Sequence, residues 1–229
     1  MTWPGEPDKA EAQAYRVIRS RLDLSRLPKH SRDVTERVIY SSADFDYAAD
    51  LVCDEEELTA AVAALAGGAP VIVDHAMVAA GITGCPVICK IDEPLTGRLA
   101  RTAGISAAAA AIRLALGEAG PGAVWVVGRE ATALTEILTR RVEPAFVIGV
   151  PAGLVGAAEA KEALRASGIC SLSNVSEKGG AAVAAAALDA LLRSAVAVPG
   201  SRAGWGAAGG RSPATARPAV TAPRPGQVI

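Results

Sequence analysis

The sequence predicts an α/β fold: a mostly parallel sheet of about five strands with helices on both faces. Three observations carry this. Short apolar runs alternate with stretches of helical spacing through short loops, which is the pattern of β–α–β units. The apolar runs lack the every-second-residue polarity of a half-exposed sheet, so both of their faces should be covered. Small turn-forming residues follow several runs and precede helices, as where an open sheet offers backbone N–H groups to a ligand.

Residues Ala10 to Leu24 carry Ala14, Val17, Ile18 and Leu22 at helical spacing, so they predict an amphipathic helix. A second helix is expected from Asp33 to Ile39, leading into Tyr40-Ser-Ser-Ala-Asp-Phe-Asp46. Asp54 suits the N-cap of a third, which runs through Leu65 and closes at Gly67-Gly68. The alternation then begins. Strands are expected at Val71–Asp74, Pro86–Ile91, Ala123–Gly128 and Ala145–Val150, with a weaker fifth at Gly168–Leu172. Helices are expected at Ser106–Leu116, Ala131–Arg141, Ala157–Ala166 and Gly180–Ser194. The strands would end at Asp74, Gly128, Val150 and Ser173-Asn174, and in such a sheet ligands bind beyond those ends.

A chain of 229 residues suits one domain with a sizeable core plus some surplus. With 51% hydrophobic residues but 3% aromatic ones, that core must be built from alanine, valine and other small side chains. From Pro199 the composition turns rich in Pro, Gly and Ala, with arginines and no acids. Residues 1–198 are therefore expected to form the domain and 199–229 a disordered tail, whose removal should leave the melting temperature unchanged. The net charge of −1 gives no electrostatic case for nucleic acid or a membrane surface. No run reaches the roughly 18–20 apolar residues of a spanning helix, and the polar N-terminus lacks a signal-peptide core, so a cytoplasmic location is expected. Cys53, Cys85, Cys89 and Cys170 are accompanied by only two histidines, His30 and His75. That inventory suits reduced thiols filling a core, and no metal site is expected.

The most specific stretch is Pro151-Ala-Gly-Leu-Val-Gly-Ala-Ala-Glu-Ala-Lys161, set between an apolar run and a helix. It resembles the Pro-Val-Gly-Phe-Val-Gly-Ala-x-Glu-Ser-Lys segment of the precorrin-8X methylmutases. Four further segments follow that family in order. Glu36-Arg-Val-Ile-Tyr-Ser-Ser-Ala-Asp-Phe-Asp-Tyr47 is similar to its Arg-Val-Ile-His-Thr-Thr-x-Asp-Phe-Asp region. Pro70 to Ile82 is similar to Pro-Ile-x-x-Asp-x-x-Met-Val-x-x-Gly-Ile. Gly128 to Leu134 is similar to Gly-Asn-Ala-Pro-Thr-Ala-Leu, and Lys178-Gly-Gly180 to a Lys-Gly-Gly before the last helix. The resemblance covers roughly residues 10–195.

Such a resemblance implies an isomerase of cobalamin biosynthesis that moves a methyl group from C-11 to C-12 of a corrin precursor without a cofactor. It implies a homodimer, with smooth apolar faces on Ser106–Leu116 and Gly180–Ser194 suited to close packing. Its ligand would be a large, flat tetrapyrrole polycarboxylate. It sets Tyr40 where the family has a catalytic histidine, and it implies substrate contacts from Ser41, Ser42, Asp74, Met77, Arg129, Thr132, Pro151, Gly153, Lys178, Gly179 and Gly180. The residues themselves leave alternatives open. Tyr40 suits a half-buried aromatic as well as an acid. Asp74 suits a cap for the helix starting at Ala76, His75 a structural histidine beside it, and Glu159 and Lys161 a solvated first turn. The substitutions Tyr40, Arg129, Glu130 and Glu177, all near strand ends, also leave room for a relative that binds a tetrapyrrole or other acidic ligand without moving its methyl group.

Overall fold

The structure, a computed structural model, describes residues 9–140 and 142–202. They form the strands β1 (Leu51–Cys53), β2 (Val71–Val73), β3 (Ile88–Cys89), β4 (Val124–Val127), β5 (Phe146–Gly149) and β6 (Ser171–Asn174). The helices are α1 (Lys9–Arg21), α2 (Lys29–Ser42), α3 (Tyr47–Asp50), α4 (Glu55–Ala66), α5 (Ala76–Gly81), α6 (Pro94–Ala103), α7 (Ala107–Ala119), α8 (Ala131–Thr139), α9 (Ala157–Ala166) and α10 (Ala181–Val196). The sheet runs β1-β6-β5-β4-β2-β3, all parallel except β1, which pairs antiparallel with β6.

The expected α/β sheet is present with six strands in place of five. The addition is β1, an edge strand with half-exposed residues and no local signature. Other elements shift. The weak fifth strand starts three residues later and ends two later, at Ser171–Asn174, and β3 keeps only two residues. The second helix starts at Lys29 and runs to Ser42, so Tyr40, Ser41 and Ser42 lie on helix and not in a loop. Its first turn has no capping side chain of its own. Glu55 of α4 accepts the N–H groups of His30 and Ser31 instead, both at 2.9 Å. Arg141, the expected end of α8, lies outside the described residues.

Side-chain alternation splits the core into two layers. Val71, Val73, Val124, Val126, Phe146 and Ile148 pack under α2, α4 and α10. Ile72, Trp125, Val127 and Val147 face α7, α8 and α9. Both faces of the inner strands are buried, which explains the continuous apolar runs. Most alanines of α7 and α10, those at 108–111 and 184–187 among them, are buried inside this core. They are therefore not free faces for a second copy, contrary to the expectation drawn from their composition. α10 lies so close to the sheet that a Cβ on Gly128 would sit 2.7 Å from Cβ of Ala184.

The fold continues past Pro199. Ser201 donates its N–H to Val198, and Arg202 donates to the Ala66 carbonyl at the end of α4, at 2.8 Å. The remainder of the expected tail, 203–229, lies outside the described residues.

Candidate active site

The sheet changes winding direction between β2 and β4. From β2 the chain steps outward to β3, then returns over α6 and α7 to place β4 on the other side of β2 and winds on through β5 and β6. A crevice opens beyond the carboxyl ends of the strands at such a reversal. Its floor is tied shut by Asp74, which follows β2. Asp74 Oδ1 accepts the Gly128 N–H at 3.1 Å, and Oδ2 accepts those of Arg129 and Glu130 at 2.8 and 3.0 Å. The carboxyl is fully buried. Burial pushes its pKa up against the opposing pull of those three N–H groups.

Asp74 is thus a brace between two strand ends, not a group that a ligand reaches and not the cap of α5. That cap is His75, whose Nδ1 accepts the Met77 N–H at 3.1 Å. Replacing Asp74 with alanine strands three N–H groups, which costs on the order of 3 kcal/mol. The melting temperature should fall by about 6–12 °C in a domain of this size. A drop below two degrees in a thermal scan would refute the brace.

Two segments far apart in sequence close the next part of the rim. The loop from β5 to α9 (150–156) and the loop from β6 to α10 (175–180) hydrogen-bond to each other. Gly153 donates to the Glu177 carbonyl at 3.0 Å, and Gly180 donates to the Val150 carbonyl at 2.8 Å. Gly179 is pressed onto β5, where its own Cβ would lie 2.1 Å from the Val150 oxygen. Pro151 is buried beneath this junction. The Gly179 N–H lies against the hydroxyl of Tyr47, a phenol that burial, helped by the charges of Asp44 and Asp50, pushes up to about 12.

The other expected residues are placed as follows. Met77 and Arg129 are exposed at the rim, and the Arg129 guanidinium has no protein partner among the described residues. The Thr132 hydroxyl lies 2.7 Å from that of Ser106. Lys178 is exposed but bound to Asp44 and Asp46 at 2.8 and 2.7 Å, and these hydrogen bonds hold its ammonium well above the usual lysine pKa. Ser41 reaches the Ala182 carbonyl in the first turn of α10 at 3.4 Å. Ser42 is committed to its own helix end, donating to Val38 and accepting the Asp44 N–H. Tyr40 is 38% exposed. Its ring lies 5.6 Å from that of Tyr15 and 5.0 Å from the Arg37 guanidinium. The structure therefore joins the residues of the strand-end loops to one another, with Ser41 at their border. Tyr40 sits one helix position away, packed toward α1.

The family profile described as precorrin-8X methylmutase (CbiC) matches residues 9–194, nearly all of the described fold. The chain belongs to the precorrin-8X methylmutase family. A cobalt-precorrin-8 methylmutase from Methanocaldococcus jannaschii is 36% identical over 163 residues, spanning 69% of this chain and 77% of the relative. A precorrin-8X methylmutase from Sinorhizobium sp. is 34% identical over 193 residues, or 79% and 91% of the two chains. Among solved structures, the precorrin-8X methylmutase of Thermus thermophilus superposes with a TM-score of 0.74 at 28% identity, covering 81% of this chain and 95% of that one. A structure described as a precorrin-8X methylmutase related protein gives a TM-score of 0.70 at 28% identity, covering 77% and 97%.

On this methylmutase frame, sequence reasoning missed several residues of the rim. Lys161, expected on a solvated first turn, is fully buried. Its Nζ donates to Asn174 Oδ1 at 3.0 Å, to the Lys178 carbonyl at 2.9 Å and to the Ser176 carbonyl. A signal was present. Ala157, Ala160, Lys161 and Leu164 share one helical stripe, and the other three are apolar. Asp50 had no such signal, because its partners lie more than a hundred residues away. The four cysteines are unpaired, and burial raises the Cys85 thiol to about 11, as suits inert core thiols.

Proposed function

We propose that this chain is a working methylmutase, an isomerase of cobalamin biosynthesis that moves a methyl group from C-11 to C-12 of precorrin-8X or its cobalt form. The observation that carries the reading is the junction of family-like segments. Pro151–Gly153 and Lys178–Gly180 meet at the strand ends and are locked by two backbone hydrogen bonds. A planar macrocycle laid over that junction meets backbone and small side chains, which let it approach closely. Met77 and Arg129, both exposed, follow the carboxyl ends of the neighbouring strands β2 and β4. Met77 offers apolar contact to the ring, and Arg129 a guanidinium for a peripheral carboxylate. Tyr40 supplies the proton or hydrogen bond that the shift requires as charge moves through the ring.

The test is to supply the precorrin-8 pigment anaerobically and follow its absorption spectrum. Conversion to a corrin chromophore supports the reading. Tight binding without conversion would instead make the chain a binding protein on the methylmutase frame. The same family frame suggests a two-fold homodimer. With α7 and α10 spent inside the core, apolar surface for it is offered by Leu154 and Val155, which are 93% and 90% exposed in the loop after β5. Sedimentation should give twice the chain mass at micromolar concentration, and a monomer mass would overturn this.

A further inference from the structure

The loop that carries Lys178, Gly179 and Gly180 is held from two sides by opposite charges. From α9, Lys161 takes the carbonyls of Ser176 and Lys178, and Arg165 takes that of Asn174 at 2.9 Å. From α3, Asp50 Oδ1 accepts the N–H groups of Val175 and Ser176 at 3.1 and 2.7 Å. Its Oδ2 accepts the Ser176 hydroxyl at 2.7 Å and the Asn174 amide at 2.9 Å. Asn174 is fully buried and links the two sides, donating to Asp50 and accepting from Lys161. Cations thus cap the loop's carbonyls and an anion caps its N–H groups. A short segment with no regular structure thus has backbone groups on both of its sides satisfied by side chains of other elements.

We propose that Lys161 and Asp50, with Arg165, are positioning residues for the methylmutase reaction, fixing the loop that presents Lys178, Gly179 and Gly180 to the pigment. This rests on the functional reading above. None of the three needs to touch the ring. Their effect runs through the loop's shape and through the contact of Gly179 and Gly180 with β5. Burial drives the Lys161 ammonium down to about 8. The charged groups facing it are Asp50 of α3, which helps keep its proton, Arg165 of α9, which opposes it, and Glu177 of the loop, which again favours it. As pH rises through 8, Lys161 loses a proton and keeps two N–H groups for three acceptors. The lowered pKa means that the folded chain sheds this proton before the unfolded one. Burying the ammonium costs the fold stability below about pH 8, and as pH rises from about 8 to 10 that cost is relieved, so the overall fold strengthens in that window. Only the loop loses a tie.

The experiment uses the full chain, cobyrinic acid as the probe, and hydrogen–deuterium exchange of residues 174–180 with intrinsic rates corrected for pH. From pH 6.5 to 7.5 affinity and loop protection should be flat. By pH 9.5 affinity should fall about tenfold and loop protection with it, while protection in α4 is unchanged. Lys161→Met should bind weakly at every pH with no step. Asp50→Asn should move the step to lower pH. A native loop whose protection stays flat through pH 8 overturns the proposal and leaves the methylmutase reading intact. So does a folded Lys161→Met that binds as the native chain does. A loop step with no cobyrinic acid binding at pH 7 sinks the methylmutase reading, and with it the role in catalysis, while the clamp itself stands. If Lys161→Met does not fold, the native titration and Asp50→Asn decide.

Discussion

Replacing Tyr40 with histidine should raise the methyl-shift rate by one to two orders of magnitude. The resemblance sets this position at the family's acid. A phenol is a weaker acid than an imidazolium by about 3.5 pK units, or roughly 5 kcal/mol of proton affinity. If about half is felt in the transition state, the rate changes on the order of a hundredfold. The surroundings temper that figure. The Arg37 guanidinium 5.0 Å from the ring disfavours an imidazolium, but Arg37 is itself paired with Glu11 and Asp189 at 2.8 and 2.7 Å, which offsets most of its field. A gain of some tens-fold is therefore the central expectation. Pigment affinity should change little. Tyr40→Phe keeps the ring contacts with Tyr15 and should abolish turnover. A histidine variant that binds pigment tightly and gains nothing would show that the acid is not the limiting defect. Arg129, Glu130 and Glu177 would then be the residues to change.

Alanine at Gly179 should cost more than any other single methyl group added at the rim. Gly179 has φ +144, a conformation that side chains rarely adopt, and its Cβ would lie 2.1 Å from the Val150 oxygen and 3.1 Å from that of Pro151. These are backbone atoms of the two residues that follow β5, so no rotamer relieves the clash. The loop must lift away and break the hydrogen bonds from Gly180 to Val150 and from Gly153 to Glu177. Strain of about 1–3 kcal/mol and roughly 1 kcal/mol for each lost bond add to a few kcal/mol. Pigment affinity should fall at least a hundredfold, which corresponds to about 2.7 kcal/mol. Gly168→Ala is the control. It also has positive φ, at +75, but nothing within 4 Å of its added carbon. That variant should lose about 1 kcal/mol of stability and keep its affinity. Native pigment affinity in Gly179→Ala would show that the junction is not where the ring sits.

The sheet was legible because its inner strands are buried on both faces, and burial leaves an unbroken apolar run in the sequence. Val124-Trp-Val-Val127 and Phe146-Val-Ile-Gly149 are such runs. Leu51-Val-Cys53 is not. It is three residues long and partly exposed, and its pairing with Leu172–Asn174 is invisible locally. α6 was missed although its ends carried the signs, Pro94 in its first turn and Gly104 in the left-handed conformation just after its last residue. The site divided in the same way. Strand ends and glycine turns are local, so Pro151, Gly153, Gly179 and Gly180 could be read from the sequence. Which charges stay in water is decided by distant partners. On sequence, Lys161 suits a solvated first turn of a helix together with Glu159, and Asp74 suits a helix cap before Ala76 as well as a substrate contact. Only the chain's return past each of them shows that one carries a loop and the other a strand end.

The antiparallel pairing of β1 with β6 has a consequence for the order of synthesis. Asp50 and β1 come from the first quarter of the chain, and the loop they hold follows residue 174. While the ribosome makes everything between, that carboxylate has no partners and the edge it will occupy does not exist. The winding strands β4 and β5 can pair as they emerge. The loop of residues 175–180 cannot take its shape until it has emerged and met Asp50, a closure across more than a hundred residues that is slow by nature. Translation stopping before residue 171 should leave a chain with much of its sheet, an unpaired edge prone to association and no site at all.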